Sequence, residues 1–61
     1  MSRKETPAET MKRIRKATGM SQAAFSARYQ IPKRTLENWE GGVNAPPAYV
    51  LAMLAEIVEK R

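Results

Sequence analysis

The tripeptide Gln30-Ile31-Pro32 limits how this chain can fold more than any other stretch. Proline disfavours helical geometry at the residue before it, and a helix accepts it only in its first turn. A helix arriving from the N-terminal side therefore has to turn at Gln30 and Ile31, and a new one can open at Pro32. Both flanks carry helical spacing. Phe25 and Tyr29 are four apart and share a face; Leu36 and Trp39 are three apart and share another. Two short helices, each with one apolar stripe, joined by a turn of three or four residues, describe a helix-turn-helix unit. The second, expected over about Pro32 to Glu40, leaves Lys33, Arg34, Glu37 and Asn38 outward, a row of hydrogen-bonding side chains on a groove-sized rod. Aromatic residues at helical period pack inward, so Phe25, Tyr29 and Trp39 read as core, with Leu36, rather than as stacking platforms for bases.

The rest of the chain supplies further helices. Thr6, Pro7 and Glu9 give a hydroxyl cap, a proline at the first helical position and a glutamate three residues after the cap. That helix is predicted to run to about Ala17, with Met11 and Ile14 inward, Gly19 ending it and Met20 folding back onto the core. Lys12, Arg13, Arg15 and Lys16 lie around its remaining surface, mostly as a solvated basic face. Ser21 caps the next helix, placing Gln22 where backbone N–H groups and the helix dipole favour a phosphate. Gly41 and Gly42 stop the third helix, and Pro46 and Pro47 set up a fourth, from Pro47 to about Lys60. There Val50, Leu51, Leu54, Ile57 and Val58 form the stripe of a docked helix. Tyr49, Ala52, Met53 and Ala55 form a second, milder apolar surface, which suits either plain packing or a homodimer contact. The expected fold class is all-α, a compact bundle of four to five short helices over residues 6–61, preceded by a flexible tail over 1–5. In that tail Arg3 and Lys4 could trail along phosphates.

At 61 residues the chain makes one domain, burying only about 60% of its unfolded surface. It contains no cysteine, histidine or aspartate. That removes disulfides, thiolate metal sites and most acid–base constellations, so neither an enzyme nor a metal or other cofactor is expected. No apolar run approaches a membrane span and the N-terminus lacks the apolar stretch of a signal peptide, so a cytoplasmic protein is expected. Eleven Lys and Arg against six acidic residues, and a pI of about 10.1, favour a polyanionic partner.

The stretch MSQAAFSARYQIPKRTLENWEGG resembles the helix-turn-helix core of the lambda repressor-like, or Xre, family of DNA-binding regulators. The matching features are Gln22 opening the first helix of the pair, small Ser26 where the two helices touch, and apolar residues at positions 25, 29, 31, 36 and 39. The WEGG exit at Trp39 to Gly42 completes the set, and the likeness covers Met11 to about Leu54. It implies a lambda repressor-like fold and binding of double-stranded DNA as a small regulator, a repressor, dimeric on half-sites about 34 Å apart. Lys33 and Arg34 are then the prime base readers, Arg34 suited to the O6/N7 edge of guanine. Glu37 would accept from cytosine N4 or orient Arg34, Asn38 would meet a base or a phosphate, and Thr35 would contact phosphate. In the family the glutamine at position 22 bridges the phosphate backbone and the recognition helix. The resemblance also implies an ion pair between Arg15 and Glu40. Two positions depart from the family: Gln30 stands where relatives carry a turn glycine, and the loop Val43 to Pro46 lacks the usual Lys or Arg, leaving Asn44 for phosphate. An alternative function follows from the same resemblance, an antitoxin that holds a small toxin protein through the fourth helix or the tail and binds its own operator.

Overall fold

Thr6 opens the first helix through two reciprocal hydrogen bonds. Its Oγ1 accepts from the Glu9 backbone N–H at 3.1 Å, and Glu9 Oε1 accepts from the Thr6 N–H at 2.9 Å. Together they satisfy two of the donors that a helix start leaves open. The computed structural model describes residues 5–59, which contain α1 (Pro7–Thr18), α2 (Gln22–Tyr29), α3 (Lys33–Gly41) and α4 (Ala48–Glu59), with no strand among them. The fold is thus all-α. Residues 1–4, with Arg3 and Lys4, and residues 60–61, where α4 was expected to end, lie outside the described residues. Glu5 is described, and its carboxylate accepts from Thr10 Oγ1 and from Arg13.

The boundaries follow local chemistry. Gly19 ends α1 at φ 75°, its N–H donating to the Lys16 carbonyl, and Ser21 Oγ accepts from the Ala24 N–H to start α2. Pro32, expected inside the third helix, is instead its N-cap at ψ 135°, so α3 begins one residue later. Pro47 likewise stays outside α4, its carbonyl accepting from the Val50 and Leu51 N–H groups.

Met11 and Ile14 of α1, Phe25 of α2, Leu36 of α3 and Leu54 of α4 form the buried core. Helix α1 packs against both α3 and α4, and α2 packs against α3. Met20, Tyr29, Ile31 and Trp39 close around this core, each half-buried. One residue of the expected α4 stripe is misplaced: Ile57 is 48% exposed, and Ala55 packs on the core as a half-buried residue. Ten of the twelve α4 residues are apolar, so periodicity alone does not single out the docking face. The position of α1 does.

The turn carries two local costs. Gln30 adopts φ 59° and ψ 41°, a left-handed conformation that costs a residue with a Cβ about 1 kcal/mol. It places the Gln30 and Ile31 N–H groups on the Ser26 carbonyl, which closes α2. Ser26 itself is 8% exposed where α2 meets its neighbours, and its Oγ is buried without a hydrogen-bond partner among the described residues. A desolvated, unpaired hydroxyl is a net penalty. Ser26→Ala is therefore expected to stabilise the fold by about 1 kcal/mol, a rise in thermal midpoint of roughly 4–8 °C for a domain of this size. A melt unchanged or lower would show that the hydroxyl is satisfied in solution.

Candidate nucleic-acid interface

Helix α3 presents its first two turns to solvent. The Arg34 side chain is 84% exposed, and Lys33 and Glu37 are exposed beside it. Glu37 sits between the two cations, with Lys33 Nζ at 3.7 Å and Arg34 Nε at 3.9 Å from its carboxylate. These contacts are long and solvated, so they preorganise the side chains weakly and exchange readily for a stronger partner. Thr35 and Asn38 are half-buried at the edges of the same face. The Asn38 carbonyl gathers the N–H groups of Gly42, Val43 and Asn44, at 2.9 Å for Val43 and 3.4 Å for Asn44. Asn44 is thereby held at the C-terminal end of α3, exposed, while Lys33 and Arg34 stand together at the opposite end.

Behind this face α3 is pinned through one carboxylate. Arg15 Nε donates to Glu40 Oε2 at 2.7 Å and Nη2 to Oε1 at 3.0 Å, a bidentate pair in which the Glu40 side chain is 4% exposed. Arg15 Nη1 donates to the Met20 carbonyl at 3.0 Å, and Gln22 Nε2 donates to Glu40 Oε1 at 3.2 Å. Glu40 thus joins α1, the α1–α2 turn and the first residue of α2 to α3. The hydrogen bond to Glu40 raises the Arg15 pKa, burial opposes the rise, and the carboxylate charge adds to it. The guanidinium stays charged wherever the chain is folded.

A helix pair with a braced inner face and a solvated row of hydrogen-bonding side chains has the form of a helix-turn-helix unit. The family model described as helix-turn-helix matches residues 11–60. The chain belongs to the lambda repressor-like, or Xre, helix-turn-helix family. No curated protein and no solved structure matches it. As a member of the lambda repressor-like family it is a DNA-binding regulator, and among its described residues no helix is long and apolar enough to cross a membrane.

The lambda repressor-like frame also sorts the basic residues of α1, which the sequence left as one solvated face apart from the Arg15 that the resemblance paired with Glu40. Arg13 reaches sideways to Glu5, at 3.1 Å, and to Glu59 of α4. Arg15 turns inward. Lys12 and Lys16 point into an open groove of about 500 Å³ that they share with Gln22 of α2 and with Glu37 and Gly41 of α3. Their i, i+4 spacing puts the two lysines on one face of α1. Gly41 is a further unexpected member. A Cβ added there meets no atom within 4 Å and its φ lies outside the left-handed region, so packing does not require glycine. It is the last residue of α3, directly before the left-handed cap at Gly42.

Proposed function

We propose that this lambda repressor-like protein is a transcriptional repressor that binds a specific double-stranded DNA site as a homodimer, with α3 in the major groove. The observation that carries this reading is the exposed N-terminal half of α3, where Arg34 and Lys33 project from a helix fixed from behind at Glu40. Arg34 reads guanine, Lys33 an adjacent base or phosphate, and Glu37 orients Arg34 or accepts from cytosine N4. Asn38 meets a base or a phosphate. Gln22, Thr35 and Asn44 fix the register on the backbone. The sequence contains no histidine, cysteine or aspartate, and this reading gives the chain a binding role with no catalytic step.

A second copy has a surface to use. Tyr49, Met53 and Ile57 recur every four residues along α4 and are 69%, 54% and 48% exposed. Such a stripe is a contact surface in a domain this small. The same stripe favours a second reading, in which a small toxin protein covers it and the chain is its antitoxin; co-purification of such a protein in fixed ratio would displace the homodimer.

Selection from a random duplex pool tests the main reading. The winning sites should carry two half-sites about 34 Å apart in two-fold relation. A single isolated half-site would exclude the dimer. On the winning site Arg34→Ala should lose about 1–3 kcal/mol, roughly 5- to 150-fold in affinity, and relax preference at one base pair. If that variant discriminates sequences as sharply as the parent, Arg34 is not a base reader.

A further inference from the structure

We infer that Glu37 sets sequence choice by exclusion: its carboxylate opposes any duplex that does not place a base amino group against it, so its main effect is to weaken binding to random DNA. The inference rests on α3 entering the major groove, and adds to the attractive contacts there a residue that acts by repulsion.

The two carboxylates of α3 lie in opposite settings. Glu40 is buried and matched by Arg15. Glu37 is exposed on the outward face, 3.7 Å from Lys33 and 3.9 Å from Arg34, and it also lines the open groove with Lys12 and Lys16. A carboxylate among four exposed cations stands on the surface that a polyanion seeks. The fold does not need it there. Both contacts are long, between side chains at least 43% exposed, and add little to stability.

An ionised carboxylate can only accept hydrogen bonds. Phosphate oxygens are acceptors of the same charge, and each base pair turns two acceptors and a single amino donor to the major groove. Most positions that Glu37 can meet on a duplex are therefore repulsive. The exceptions are cytosine N4 and adenine N6. On a random duplex Lys33 and Arg34 reach for phosphate and must leave Glu37 to do so, which uncovers its charge beside the backbone. On a selected site Arg34 meets guanine while Glu37, three residues on along the same helix, accepts from an amino group. Wrong sequences are thus rejected by an unmatched charge as well as lacking a good contact.

The test uses the full chain, the selected duplex and a random duplex, with affinities measured from about 50 to 200 mM salt. Glu37→Gln keeps the size and an acceptor oxygen and removes the charge. Random-duplex affinity should rise about five- to tenfold. The plot of its logarithm against log salt should steepen by about 1 unit, because the two cations are freed to meet phosphate. Affinity for the selected duplex should stay within about threefold of the parent, since the amide oxygen still accepts from the amino group. The specific-to-random ratio then falls, a repeated selection loses its preference at one base pair, and the thermal midpoint holds. Glu56→Gln, the same change of charge on the exposed side of α4, should move neither affinity. Parent-level random binding by Glu37→Gln overturns the inference, and so does an equal rise on both duplexes or an equal rise in Glu56→Gln, either of which reduces the effect to net charge. Arg34→Ala separates the two ideas. If the ratio responds to Arg34 and ignores Glu37, the exclusion fails and the DNA-binding reading stands; a parent that binds no duplex ends both.

Discussion

Glu40→Ala is expected to cost about 3–5 kcal/mol, most of the stability that a 61-residue domain has. The loss does not come from the Coulomb attraction, which desolvation largely offsets. It comes from what the substitution strands: a guanidinium only 16% exposed, left with the Met20 carbonyl alone, and a Gln22 amide with its acceptor gone. Replacing both charges by apolar groups, Arg15→Met with Glu40→Leu, should recover most of the loss, because no buried charge is then unmatched. Urea unfolding of the three proteins separates these accounts. A Glu40→Ala unfolding free energy within about 1 kcal/mol of the parent would mean that the pair is solvated and does not brace α3. The arginine side of the pair is insensitive to pH. Its pKa is raised on folding, so its contribution is complete below the ordinary arginine range and lost only as pH rises through the still higher folded value.

Phe25→Ala should be as damaging, about 3–5 kcal/mol, for a different reason. The ring is fully buried at the centre of the five-residue core, between helices whose other contributions are Met11, Ile14, Leu36 and Leu54. It also packs on Tyr29 with centroids 4.7 Å apart and planes at 49°, a tilted arrangement favourable to both rings. With so few core residues, the surroundings have little apolar mass with which to refill the space. Circular dichroism at 25 °C should show the variant partly unfolded, and addition of the selected duplex should restore helix by mass action. A cooperative melt within a few degrees of the parent would place the centre of the core elsewhere.

These two substitutions also mark what could be read from the chain before folding it. Phe25, Leu36 and the break at Gln30 to Pro32 were legible because they depend on nearest-neighbour physics: a proline that forbids helix behind it, and side chains three or four apart that must share a face. The caps at Thr6 and Gly19 were legible for the same reason, since each involves residues within one turn. Ile57 was not. In a helix apolar on nearly every side, its exposure was settled by where α1 lies, and only the packed structure contains that information.

The basic residues of α1 divide in the same way. Sequence set their number and their order along one helix, and the family resemblance paired Arg15 with Glu40; neither assigned Arg13 to the flank or Lys12 and Lys16 to the groove beside α3. An ion pair such as Arg15 with Glu40 spans 25 positions, and the local pattern around either residue carries no trace of the other. Local rules therefore determined which segments became helices and which faces were apolar. The three-dimensional packing decided which charges were neutralised and which were left exposed, because that depends on distances between segments that meet only once the core has formed.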